Sequence, residues 1–228
     1  NKDLTLRAFY TLSRSIDPST GGGGGGDLAT VSNPYAGWAY DNGPSGYDRT
    51  HNLSANFIYD IPLLRHSENK LMRSVVGGWE VSGIVTIESG LPLNLGVSGN
   101  QGGNGIGGSN RPNLTGSISY PNQVVSGQQQ IQWFNPSAFS LPTLGAWGNL
   151  GHNALRGPGR DNWNMSLFKS FVFSETRGSR LELRLETFNT WNHTQFTGVD
   201  TSFGSGTFGR FNSAAPARIL QLGAKISF

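Results

Sequence analysis

The chain has 228 residues, only 14% of them charged, and its formal charge of +3 is spread without any run of Lys or Arg. That pattern argues against nucleic-acid binding, and the absence of cysteine excludes a disulfide framework and thiolate metal sites. An aromatic content of 11% supplies surface worth burying and argues against disorder, while 33 glycines and 11 prolines imply frequent turns.

The dominant signal is period-two alternation, which places successive side chains on opposite faces of a strand. A first strand is predicted over 4–15, where Leu4, Leu6, Ala8, Tyr10 and Leu12 share one face and Thr5, Arg7, Thr11 and Ser13 the other. Because the chain opens inside this run, it reads as starting in mid-strand. A long polar loop over 16–47 follows and contains the Gly21–Gly26 tract. The second strand, 48–60, sets Leu53, Ala55, Phe57 and Tyr59 against Asn52, Ser54 and Asn56. Leu63 to Val76 is the one stretch with any helical character. Pro62 and the scattered bases Arg65, Lys70 and Arg73 make a loop or turn between strands the expected outcome.

A third strand is predicted over 78–98. Trp79, Val81, Val85 and Ile87 alternate with Glu80, Ser82, Thr86 and Glu88, and a shorter apolar stretch from Leu91 to Val97 follows. A second long loop spans 99–149. Three further strands are expected at 162–173, 179–189 and 217–228, the middle one setting Leu181, Leu183 and Leu185 against Arg180, Glu182, Arg184 and Glu186. The connection between the first two of these is short and contains Glu175-Thr176-Arg177-Gly178. Long connections that alternate with short ones suit an antiparallel transmembrane β-barrel, with extracellular loops on one rim and periplasmic turns on the other. The whole chain, 1–228, reads as one all-β barrel segment, and no stretch is long enough for a transmembrane helix.

A soluble β-sandwich or solenoid would also alternate. Mid-strand charges such as Glu80, Glu182 and Arg184 favour a wet lumen, and aromatics near strand ends (Tyr59, Trp79, Trp163, Phe171, Phe173, Phe228) favour interfacial girdles. A contiguous apolar face through Leu181, Leu183 and Leu185 is the geometric test. The C-terminus adds a local signal: Gln221, Gly223, Ile226 and Phe228 stand in the order polar, glycine, hydrophobe, terminal aromatic. This resembles the β-signal read by barrel-assembly machinery, where an exposed edge adds a strand through its backbone.

Longer motifs follow in a fixed order: YTLSRSID (Tyr10 to Asp17), GYDRTHNLSANFIYDIP (Gly46 to Pro62), VGGWEVSGIVTIESGLPL (Val76 to Leu93) and WFNPSAF (Trp133 to Phe139). GNLGHNALRGPGRDNWNMSLFKSF (Gly148 to Phe171), LELRLETFNTWNHTQF (Leu181 to Phe196) and ARILQLGAKISF (Ala217 to Phe228) complete the series. Together they resemble the C-terminal barrel of Oar-like TonB-dependent receptors, which carry a carboxypeptidase-regulatory-like domain. The resemblance implies a bacterial outer-membrane location, a barrel of about 22 strands, contact with outer-membrane lipid, and energy coupling to TonB through an N-terminal part. Plug, TonB box and regulatory-like domain have no counterpart among these 228 residues, so the chain is expected to be a fragment, and neither coupling residues nor a ligand carries over. Alone, its open edges are expected to drive self-association.

Candidate chemical sites are weak. GNGIGG (Gly103 to Gly108) matches a dinucleotide fingerprint in letters, but Ser109-Asn110-Arg111-Pro112 follows it instead of a helix. His51, His66, His152 and His193 show no metal-ligand spacing, His51 reading as a polar rim residue, and no GxSxG elbow exists. Glu182 and Glu186, flanked by Arg180 and Arg184, read as cross-strand ion pairs lining a lumen rather than a catalytic pair. The amides of ETFNTWNH (Glu186 to His193) are expected to bond a turn backbone. No catalysis, cofactor or metal is expected. Trp38, Tyr40, Trp133 and Trp147 remain as possible loop contacts to a ligand, with packing of the loops into a lid as the alternative. A rival from another class is a stand-alone secreted β-protein that binds glycans or self-assembles.

Overall fold

The computed structural model describes residues 3–18, 32–63, 68–98, 110–124, 130–174 and 178–228. Its main feature is an antiparallel sheet of β1 (Leu4–Leu12), β2 (His51–Ile61), β3 (Trp79–Glu88), β4 (Arg160–Ser174), β5 (Ser179–Phe188) and β6 (Ile219–Ser227). Spatial order follows chain order, an up-and-down meander, and among the described residues β1 and β6 are paired on one side only.

The ladders bring the apolar positions of neighbouring strands into common rows. One row runs Leu6, Phe57, Gly83, Met165, Thr187, Leu220, and the next runs Leu4, Tyr59, Val81, Leu167, Leu185, Leu222. Leu181, Leu183 and Leu185 thus belong to a contiguous apolar face that crosses the sheet. This face stays open, with Leu6 62% and Leu222 82% exposed. Trp163 and Phe171 mark its two ends on β4. They stand eight positions apart, about 27 Å along a strand at roughly 3.4 Å per residue, or about 20 Å of height at a tilt of ~40°. That is close to the roughly 25 Å apolar band of an outer-membrane barrel. At mid-height the Phe57 ring lies over Gly83, where a β-carbon would come within 2.7 Å of it. A glycine there lets an aromatic ring cover the backbone.

One cation breaks the apolar face. Lys169 is 1% exposed, and its amine donates to the Gly77 carbonyl between the rings of Trp79 and Phe171. Its stem lies along the apolar surface while its head reaches a backbone acceptor at the short-turn rim, as an amphipathic side chain does.

Several expected boundaries change. The first strand ends at Leu12, not Ser15, because the Ser15 N–H turns to the Asp48 carboxylate at 2.6 Å. The second runs from His51 to Ile61. The third ends at Glu88 instead of 98: Gly90 crosses Gly157 so closely that a β-carbon on Gly90 would overlap the Gly157 carbonyl. Residues 92–93 then pair with 155–156, and 96–97 pair in parallel with 202–203. The last three strands, Arg160–Ser174, Ser179–Phe188 and Ile219–Ser227, differ from the expected bounds by no more than two residues at either end. Lys70–Val76 is a helix and not a loop, with Met72 N–H bonded to the Asn69 carboxamide at its start. An Asx side chain satisfies a first-turn donor there, which the bases around it do not prevent.

The predicted cross-strand ion pairs also take another form. Arg180 meets Glu182 at 2.8 Å and Arg184 meets Glu186 at 3.5 Å, each along β5 itself. Across the ladder Arg184 faces only Phe168 and Gly223, so the nearest carboxylate is two residues along the same face. The regions 16–47 and 99–149, expected as plain loops, contain short strand pairs within their described parts, including 16–17 with 43–44 and 113–114 with 139–140. The Gly21–Gly26 tract, the Gly103–Gly108 match and His66 lie outside the described residues.

Candidate functional site in the loop layer

All of the long connections leave the same rim of the sheet, and their described parts pack into a layer with its own core. Phe134 is fully buried there, edge-on to Phe139 (5.6 Å) and Phe208 (5.1 Å), and Leu95, Leu150 and Leu155 close around them. Phe196 stacks on Phe211 at 3.9 Å, and Trp133 tilts against Phe211 and Tyr120. Aromatic side chains supply a large buried area and defined geometry, which lets irregular backbone hold one shape.

Two ion pairs with buried carboxylates join the first long loop to the second. Asp48, almost wholly buried, pairs with Arg156, whose guanidinium also donates to the Asp48 and Gly90 carbonyls. Burial alone would raise the Asp48 carboxyl. The hydrogen bonds from Arg156 and the Ser15 N–H, with the charges of Arg156 and Arg14, outweigh it and hold the group below its ordinary value. Asp41, fully buried, accepts the Ser32 N–H at 2.6 Å and stands 3.5 Å from Arg111. Arg111 in turn donates to the Tyr40 carbonyl at 2.5 Å and lies 3.7 Å over the Tyr40 ring. A third acid, Asp200, is buried enough to be raised, but bonds from Ser205, Thr207 and the Ser202 N–H lower it and fasten the 200–209 turn.

Where this layer meets the sheet there is a half-open cavity of about 390 Å³. Leu91, Leu93, Phe196 and Val199 form apolar wall, and Arg49 and Arg160 stand in its lining. Arg49 pairs with Glu88 at 3.2 Å, and Arg160 is the ladder neighbour of the same Glu88. Gln195 holds one wall in place: its carbonyl accepts the Asp161 N–H at 2.9 Å, and its amide donates to the Asp161 carbonyl.

The loop aromatics singled out from the sequence are distributed unequally. Tyr40 donates its hydroxyl to the Gly148 carbonyl (2.9 Å), Trp147 its ring N–H to the Ser32 carbonyl (2.9 Å), and Trp133 its ring N–H to the Arg156 carbonyl (2.8 Å). Trp38 remains half exposed, beyond the sheltered part of the layer. Gln221 and Gly223 share the polar face of β6, while Ile226 and Phe228 stand exposed on the apolar side of its unpaired edge. His51 shares a 2.7 Å hydrogen bond with the Tyr10 hydroxyl at the long-loop rim. Asn189 bonds both the N–H and the carbonyl of His193, closing the turn after β5 with its own φ at 54°. Among the described residues no group of His, Asp and Glu has the geometry of a metal site.

Asp41, Asp48, Arg111, Arg156 and the cavity escape sequence reading, since a buried charge in a polar loop looks like a solvated one. The sole hint is composition: aromatics too dense for idle loops.

A family profile described as outer membrane beta barrel domain matches residues 1–221. The chain belongs to this family. No curated protein and no solved structure matches it. As an outer-membrane β-barrel domain, the chain resides in the bacterial outer membrane. In such a barrel the apolar face of the sheet meets lipid, the polar face lines the lumen, and the long connections are extracellular. The loop layer and its cavity therefore stand at the outer mouth of this barrel wall.

Proposed function

We propose that this chain is the C-terminal barrel segment of an Oar-like TonB-dependent receptor, supplying wall and ligand-facing loops with no catalysis of its own. The observation that carries this reading is the loop layer. Long connections that only joined strands would need no core, yet these bury Phe134 completely and lock two acids to two arginines. A rigid cap of that kind suits ligand capture at the mouth of a barrel. The ordered motifs from Tyr10 to Phe228 support the same reading. In it, β6 with Gln221, Gly223, Ile226 and Phe228 is the strand presented to the barrel-assembly machinery, and coupling to TonB belongs to an N-terminal part of the receptor.

The test is uptake by cells expressing the full-length receptor. Ligand-dependent accumulation is expected to stop when TonB is inactivated while the receptor stays in the outer membrane. Uptake that continues without TonB, or with the proton gradient collapsed, would overturn the receptor reading and leave a passive barrel. One observation favours an addition to this reading, self-association of the barrel segment through its edges within the membrane: β1 and β6 each have an unpaired edge among the described residues. Under that reading the segment expressed alone is extracted from the outer membrane in detergent as oligomers and not as single copies.

A further inference from the structure

We infer that the cavity between the loop layer and the sheet is a binding site for a small amphiphilic anion, an aromatic or aliphatic carboxylate or sulfonate. Its walls are largely apolar, formed by Leu91, Leu93, Phe196 and Val199, and about 390 Å³ is ample for one such body. Its charge is unbalanced in one direction. Arg49, Arg156 and Arg160 cluster around this end of the sheet, and the carboxylates that answer them are Glu88 and Asp48. Arg156 is taken by Asp48 and Arg49 by Glu88, with Arg49 also donating to the Ser89 carbonyl at 2.8 Å. Arg160 has no ion-pair partner among the described residues, is exposed, and lines the cavity. Arg14, close enough to act on Asp48, adds to the positive side. An apolar body with one anionic group satisfies both walls and charge, whereas a neutral body leaves Arg160 unanswered and a cation is repelled.

The site is built rather than incidental. The Gly90–Gly157 crossing brings two segments into backbone contact at its rim, and the buried Gln195 fastens the opposite side to both backbone groups of Asp161. Arg160 and Glu88 belong to the polar face of the sheet, so the charged end of the cavity opens toward the lumen side. The inference concerns binding alone and holds with or without TonB coupling.

The probe is 2-naphthoate, with neutral 2-naphthamide and cationic 2-naphthylmethylammonium as comparators, titrated by calorimetry into the full chain in lipid nanodiscs. Naphthoate is expected to bind, at least tenfold tighter than the amide, and the ammonium not at all. Arg160→Gln is expected to weaken naphthoate about tenfold or more and leave the amide unchanged, in proportion to one charge-assisted hydrogen bond. Glu88→Gln is expected to tighten naphthoate, because it removes the carboxylate that competes for Arg49, an effect that a merely structural Glu88 would not produce. Thr197→Trp fills the cavity from its exposed edge, away from the loop core, and is expected to abolish binding in a variant with an unchanged β-sheet circular dichroism spectrum. No binding of naphthoate, equal binding of the amide, or full affinity in folded Thr197→Trp would each overturn the assignment.

Discussion

The sheet and the loop layer hold similar kinds of residue and dispose of them oppositely. In the sheet, Leu6, Leu222 and Ile226 face outward with most of their surface open, and the polar face carries Glu182, Arg184 and Glu186. In the loop layer, Phe134, Leu95 and Leu155 are enclosed by protein, and the charged groups Asp41 and Arg111 are buried with them. The difference is one of solvent. A barrel wall uses lipid as its apolar phase and needs no second layer, whereas a loop layer in water must make an apolar interior for itself. Two burial rules thus operate within one chain, and they are separable by mutation.

The largest expected break comes from Phe134→Ala, which empties the centre of the loop core at a cost of about 4 kcal/mol. Hydrogen exchange in detergent is expected to show lost protection over 130–156 and 196–211 while β4, β5 and β6 keep theirs. Equal loss in the sheet would mean that the two regions form one cooperative unit. Arg111→Met should follow at about 3 kcal/mol, since it strands the buried Asp41 charge. Limited proteolysis is expected to cut near 32–48 in this variant first, and Asp41→Asn added to it should restore resistance.

The wall has its own test. Leu185→Arg places a cation in mid-band and is expected to destabilise folding into lipid vesicles by about 2–3 kcal/mol. One residue on, Glu186→Gln faces the lumen side and removes a half-exposed ion pair, so its effect should stay below about 1 kcal/mol. Similar costs at the two positions would contradict the assignment of faces.

The smallest effect is a pH dependence confined to the loops. Asp48 has a folded-state value below its ordinary 3.8. Its stabilisation is therefore complete above the unfolded value and disappears as pH falls through the folded one, in the region below about pH 4. Loop-layer protection should drop there in the wild type, and that drop should shrink in Asp48→Asn.

Much of the wall is legible in the sequence, because alternation is local. Leu181, Leu183 and Leu185 declare a face by spacing alone, and pairing with Leu222 and Ile226 follows from matching faces. Even so, alternation overruns the true strand ends at Ser15 and at Leu91 to Val97. Both overruns have one source: a side chain or a crossing segment far along the chain claims the backbone, Asp48 in one case and Gly157 in the other. The helix at Lys70–Val76 differs, since its cap, Asn69, lies beside it in the sequence. There a local cap outweighs the nearby bases and Pro62.

The sequence by itself determined the class of this protein: an antiparallel outer-membrane barrel wall with its apolar and polar faces and its long and short rims. The faces and rims follow from period-two spacing and turn residues, which act over a few positions, and the outer-membrane class from the C-terminal signal and the ordered motifs that carry the resemblance. Tertiary structure alone decided the loop layer, the ion pairs of its buried carboxylates and its cavity. Asp48 meets Arg156 across 108 positions and Tyr40 meets Gly148 across another 108. Contacts that distant leave no periodic trace, because what selects them is the closing of a shared core and not the geometry of any one segment.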